Sequence, residues 1–181
     1  LSIVKKVTGK DGVCHIDPTL LLSSDDWRKI SVKKIDKPYI LVFNVKPVKS
    51  LIDYAEKLSK EKNLPVIYIT DNPQKKRNNF TYVSAPTVEE FLGYFANATY
   101  TVTNSFHGTA FSVIFHRNLF VEYETAKGFN DRAKNLLQTV GINREIKGGN
   151  ATESEIDWEK VDEILQAERK CSVDYLKEIT K

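Results

Sequence analysis

One stretch of this chain concentrates side chains able to bind an anion and move a proton: Thr103-Asn104-Ser105-Phe106-His107-Gly108-Thr109. It lies between an apolar run of strand length, Tyr100 to Thr103, and an apolar helical stretch, Ala110 to Phe115. Open parallel sheets bind ligands beyond the carboxyl ends of their strands, where strand gives way to helix. The first-turn amides of such a helix have no internal acceptor and lie at the positive end of its dipole, so phosphate is the natural occupant. Asn104, Ser105 and Thr109 can cap the helix or donate to phosphate oxygens, and Gly108 lets a ligand come close to the backbone. His107 then stands about one turn into the helix, beside the anion, where an imidazole is suited to donate a proton. The alternative is a histidine that only caps the helix or fills a gap. The strand-end position, the glycine and three hydroxyl or amide neighbours favour the chemical role. Of the other histidines, His15 falls in a short strand-like stretch and is expected to pack. His116, at the end of the same helix as His107, is expected to stabilise that helix end as a cation.

The elements that must position this segment alternate. Tyr39 to Phe43 is a continuous apolar run of strand length, the kind covered on both faces. Val48, Leu51, Ile52, Ala55 and Leu58 recur at helical spacing, and Val66 to Thr70 is a second buried strand. Thr81 to Val83 is a third strand, and Thr87 with Glu89 and Glu90 opens a helix through Ala96. After the His107 helix come a strand at Leu119 to Tyr123 and a helix with Arg132, Ala133, Leu136, Leu137 and Val140, closed by Gly141. From about Asp157 one long helix fills the remainder. Ser23 followed by Asp25 and Asp26 marks another helix start. Lys75-Lys76-Arg77 reads as a solvated loop. The fold class is therefore α/β, a Rossmann-like parallel sheet with helices on both faces and a long C-terminal helix. No G-x-G-x-x-G run of the standard dinucleotide fold occurs. Residues 1–36 read as a connecting segment with a leading helix, 37–146 as the Rossmann-like domain, and 147–181 as linker and final helix. Lys147-Gly148-Gly149-Asn150 is the candidate linker.

The chain has 181 residues, 41% of them hydrophobic, enough for one packed domain with an appended helix. Its 27 basic and 24 acidic side chains leave a net charge of +3, too mild to point to nucleic acid. Cys14 and Cys171 fit no metal-ligand spacing and are expected to be reduced and mostly buried; no metal and no cofactor is expected. No apolar run approaches the roughly 20 residues that span a bilayer, and no signal segment opens the chain. The N-x-Thr triplets at Asn79, Asn97 and Asn150 are accordingly read as chance, and the expected location is cytoplasmic. Methionine is absent and the chain starts Leu1-Ser2-Ile3-Val4 as though within an element. The expectation is a fragment whose preceding portion is missing.

At three places the residues resemble the polysaccharide pyruvyl transferase family. Asp17-Pro18-Thr19-Leu20-Leu21-Leu22, followed by acidic residues and Trp27, resembles the segment that joins the two halves of those proteins. Thr103-Asn104-Ser105-Phe106-His107-Gly108 resembles the family's histidine motif. Gly128-Phe129-Asn130-Asp131-Arg132, with Leu136-Leu137 and Val140-Gly141-Ile142, resembles its later arginine-bearing stretch. The ordered set, from about residue 12 to 145, is more specific than any one part.

The resemblance implies the second half of a glycosyltransferase-B-like two-domain fold, bacterial origin, and a missing N-terminal domain toward which the last helix packs. It also implies transfer of a pyruvyl group from phosphoenolpyruvate to a sugar hydroxyl in cell-surface polysaccharide biosynthesis, with negligible turnover by this half alone. In that chemistry His107 is the acid–base residue. Asn104, Ser105, Phe106, Gly108 and Thr109 surround the donor, and Arg132 either clamps its carboxylate or phosphate or is an exposed helix charge. Many family members carry arginine where this chain has Ser105, so Arg132, Lys46 or another cation must substitute, or the donor differs; Lys46 otherwise reads as a solvated loop lysine. Asp17 reads as structural, orienting the connecting segment. Two other functions stay open. One is a nucleotide-sugar-dependent glycosyltransferase, with Glu122 or Glu124 toward a ribose, and the other is a non-catalytic carbohydrate-binding or scaffold domain.

Overall fold

The computed structural model describes residues 2–71, 76–123 and 131–180. The unbroken apolar run after Pro38 forms β1 (Ile40–Phe43), whose first three residues are buried, as a strand covered on both faces requires. β2 (Val66–Ile69), β3 (Phe80–Val83), β4 (Tyr100–Thr103) and β5 (Asn118–Val121) complete a parallel sheet in the order β3-β2-β1-β4-β5. The winding direction reverses between β1 and β4, and the crevice beyond that point is where sheets of this order bind ligands. Phe43 lies opposite both Ile69 and Thr103, and Thr103 opposite Val121, so four strands end on one level. With the stretch beyond the next helix, Val121 donates its amide to the Arg144 carbonyl and accepts from the Ile146 amide, a short parallel addition at the edge of β5. The Lys147-Gly148-Gly149-Asn150 stretch is a tight turn closed by a 2.7 Å backbone hydrogen bond from Lys147 to Asn150.

Alternation of side chains along β1 assigns its faces. Ile40 and Val42 pack with Leu51, Tyr54, Ala55 and Leu58 of α3 (Lys49–Lys62). Leu41 joins the opposite layer, built by α4 (Val88–Asn97), α5 (Phe106–Ile114), α6 (Asp131–Thr139) and the first turns of α7 (Trp158–Ile179). The acidic first turns read from the sequence are capping boxes: Ser23 with Asp26 at α2 (Ser24–Ile30), and Thr87 with Glu90 at α4. Gly93 is demanded by close approach, since a Cβ there would fall 1.8 Å from the Val32 carbonyl oxygen.

Three expectations change in three dimensions. The stretch around Val13 has no strand partner among the described residues; after α1 (Ser2–Thr8) it runs along α7, with the Ile16 amide on Ser172 and His15 stacked on Tyr175 at 4.2 Å. Both cysteines are exposed and free instead of buried, because the segment carrying Cys14 lies on the surface and Cys171 is on the solvent side of α7. Arg77 is not a solvated loop charge: its side chain, 17% exposed, forks onto Asp53 at 2.5 Å and onto Glu56, both on α3. Lys75 lies outside the described residues. His116, just past α5 with φ +56°, stacks on Trp158 and meets Asp162 at 2.9 Å, fastening α7 to the sheet domain.

Candidate functional site at the start of α5

β4 ends at Thr103 and α5 begins at Phe106, so the candidate segment is the turn between them and the first helical residues. Ser105 is the N-cap: its hydroxyl accepts the Gly108 amide, and its carbonyl takes both the amide and the hydroxyl of Thr109, each at 2.9 Å. Ser105 and Thr109 are 3% and 0% exposed. Their hydroxyls, expected to face a phosphate, are instead spent in building the helix start, because a capping group must lie beneath the turn that it caps. Asn104 is also buried. Its Oδ1 accepts the Val45 amide at 3.0 Å and its Nδ2 donates to the Lys46 carbonyl at 3.1 Å, tying the loop after β1 to the turn after β4.

Gly108 has a different reason from the one expected. A Cβ there would lie 2.3 Å from Oγ1 of Thr103, so the glycine lets α5 press against β4 rather than admitting a ligand. Thr103 Oγ1 in turn donates to the Phe43 carbonyl and accepts the Ser105 amide. Of the motif, Phe106 and His107 reach the surface; His107, second residue of the helix, is exposed. The amides of these two residues precede any intrahelical acceptor, so the positive end of α5 is presented beside the imidazole.

Arg132, near the start of α6, is brought to the same place. Its guanidinium carbon lies 3.9 Å from the centre of the Phe106 ring, and Nη2 pairs with the Asp17 carboxylate. The Phe106 and His107 rings meet edge to face at 5.4 Å. Asp17 thus belongs to the charged cluster as well as capping the single 3-10 turn Pro18–Leu20, where its Oδ1 accepts the Thr19 amide. Burial pushes the Asp17 carboxyl up, but the Thr19 hydrogen bonds and the charges of Arg132 and His107 outweigh it and hold the group below the usual carboxylate value. Trp27 Nε1 donates to the Thr19 carbonyl at 3.1 Å, and Arg169 of α7 to the Leu20 carbonyl at 2.6 Å, which fixes the turn that carries Asp17.

Lys46 lies on the exposed loop after β1, at the same sheet edge. Glu122, past the end of β5, accepts a hydrogen bond from Ser50 in the first turn of α3. Glu124 and the Gly128-Phe129-Asn130 part of the arginine-bearing stretch fall outside the described residues. Among the described residues no group of three metal-binding side chains converges, and no helix is long and apolar enough to cross a membrane. Sequence reading undervalued Asp17, whose pairing with Arg132 spans 115 positions. The Asp-Pro pair signalled a fixed turn but not its partner.

A family model described as polysaccharide pyruvyl transferase matches residues 6–121, from the connecting segment through β5 and including Asp17 and His107. Among solved structures, UDP-GlcNAc 2-epimerase from Methanocaldococcus jannaschii is similar at a TM-score of 0.47 and 15% identity, covering 79% of this chain and 41% of that one. The M. jannaschii UDP-GlcNAc 2-epimerase in complex with UDP-GlcNAc and UDP is similar at 0.44 and 11%, covering 80% and 47%. This chain thus spans less than half the length of either. No curated protein matches it.

Proposed function

The chain belongs to the polysaccharide pyruvyl transferase family, and from that premise we propose that it acts in moving the enolpyruvate carbons of phosphoenolpyruvate onto a sugar during cell-surface polysaccharide synthesis. One sugar hydroxyl oxygen bonds to C2 of the donor while the C3 methylene gains a proton. A second hydroxyl then attacks C2, the C2–O bond to phosphate breaks, and inorganic phosphate leaves with the remaining hydroxyl proton. A ketal bridging two sugar oxygens is the product.

The observation that carries this reading is the exposed His107 at the helix start, with the Arg132 guanidinium held over the neighbouring Phe106 ring. As the imidazolium, His107 gives its proton to C3; the imidazole so formed takes the proton of the attacking hydroxyl. Such acid–base assistance is typically worth about 10²–10⁴-fold. The donor's phosphate lies against the Phe106 and His107 amides, where the helix dipole favours an anion. Arg132 supplies the planar fork for the carboxylate, replacing the cation that many family members carry where this chain has the buried cap Ser105. Asn104, Ser105, Gly108 and Thr109 serve the donor indirectly, by setting the helix start, and Lys46 adds positive charge at the rim.

The test is to incubate the complete protein, with any domain that lies outside these 181 residues, with phosphoenolpyruvate and candidate oligosaccharides, following phosphate release and the mass of the sugar together. A pyruvyl mass gain that matches phosphate release is expected. Phosphate release that ignores the acceptor, or glycosyl transfer from a nucleotide sugar in its place, would sink the proposal.

A further inference from the structure

The sheet's carboxyl edge also carries a concavity on the β2 side of β1, whereas the His107 turn follows β4 on the other side. A cavity of about 450 Å³ opens at the carboxyl ends of β1 and β2, against the first turn of α4. Its walls are mostly apolar: Phe43 and Phe91, edge to face at 5.0 Å, with Ile69, Pro86 and Val88. Three polar side chains interrupt them, those of Asn44, Thr70 and Asp71. Asp71 stands at the end of β2, its Oδ1 accepting the Ser84 hydroxyl at 2.9 Å and the Ala85 amide at 3.1 Å. Asn44, only 8% exposed, accepts the Tyr68 hydroxyl at 2.9 Å on Oδ1, while its Nδ2 is buried with no partner among the described residues. Turning the amide over exchanges the two atoms but still leaves one unsatisfied. Buried polar groups are almost always hydrogen-bonded, so the unpaired amide of this lining residue favours an occupant with a polar edge.

We propose that this cavity takes the planar heterocycle of a nucleotide. A heterocyclic base has apolar faces that suit Phe43, Phe91 and Pro86, and concentrates its polar atoms along one edge, where Asn44 can meet a ring carbonyl or ring N–H. A pyranose carries hydroxyls around its whole perimeter, and burying those against Ile69, Pro86 and Val88 strips their water without replacing it. The cavity is also coupled to the α5 start. Val45, which lines it, donates its amide to Asn104, the residue that opens the turn leading to His107. A base seated here would sit beside the loop that holds Asn104, and any effect of its occupation on pyruvyl transfer would pass through that contact. This last step rests on the pyruvyl-transfer reading; occupation of the cavity does not.

Calorimetric titration of the protein with UMP, CMP, AMP and GMP, with ribose 5-phosphate and galactose as comparisons, tests the assignment. At least one nucleotide should bind saturably and at least tenfold tighter than ribose 5-phosphate. Val88→Trp, an exposed position that opens α4, should fill the mouth and weaken that binding at least tenfold. Asn44→Leu should weaken it too, with circular dichroism to confirm folding; should that variant unfold, Val88→Trp still decides. The proposal is overturned when no nucleotide outbinds ribose 5-phosphate, when Val88→Trp leaves the affinity unchanged, or when galactose is the ligand that Val88→Trp displaces. Phosphoenolpyruvate titrated on the same proteins separates the two readings. Its affinity should survive Val88→Trp, and its failure to bind a nucleotide-competent protein would remove pyruvyl transfer while the cavity assignment stands.

Discussion

The guanidinium carbon of Arg132 lies 3.9 Å from the centre of the Phe106 ring, joining the start of α6 to the start of α5. With one edge pairing with Asp17 and its face on an aromatic ring, the group is pre-oriented, which lowers the cost of recruiting it to an anion. Arg132→Ala should therefore reduce pyruvyl transfer by roughly ten- to a hundredfold, the scale of one lost charge-assisted contact. The side chain is 59% exposed, so the melting temperature should fall only slightly, by what the pairing with Asp17 contributes. Arg132→Lys should recover little, since an ammonium cannot reproduce the planar fork. Steady-state kinetics beside thermal unfolding separate these outcomes, and full activity in Arg132→Ala would remove the residue from the site.

His107→Ala should leave the fold intact, because the side chain is exposed on the first turn of α5. Transfer should fall by about 10²–10⁴-fold. Phosphate release measured at saturating donor is the readout; an unchanged rate would reduce His107 to surface decoration.

Gly108→Ala tests the packing beneath the site. The added methyl would meet Thr103 Oγ1 at 2.3 Å, and that hydroxyl cannot move without breaking its bond to the Phe43 carbonyl. A loss of about 1–3 kcal/mol in chemical denaturation is expected, the usual cost of overpacking. A neutral result would show that α5 can ride away from β4.

Asp17 gives a pH dependence whose sign is fixed. Its folded carboxyl titrates below the ordinary value of 3.8, since the Thr19 hydrogen bonds and the Arg132 and His107 charges overcome the upward push of burial. The stabilisation it confers is complete above that ordinary value and is lost as the pH falls through the lower, folded one. Asp17→Asn should therefore be less stable than the parent at neutral pH, and the difference should shrink as both are acidified. Parallel denaturation curves across the acid range, with the Asp17 carboxyl followed by NMR, would reveal a gap that stays constant if the pairing contributes nothing.

Local pattern by itself determined the layered α/β architecture. Runs such as Tyr39 to Phe43 and Val66 to Ile69 are apolar without alternation, which suits only strands covered on both faces, and the Ser23 and Thr87 caps are written in adjacent residues. The polar turn before α5 was legible for the same reason: strand, polar turn and apolar helix are consecutive. Tertiary structure decided which of its side chains face solvent. Ser105 and Thr109 turned inward and Gly108 proved to serve helix–strand packing, because the depth of a turn depends on how closely α5 lies on β4. It also decided the company of His107. Asp17 and Arg132 are 115 positions apart, and Asn44 meets Tyr68 and a cavity wall from another strand. Contacts of that range follow from sheet order and helix docking, which no window of sequence contains.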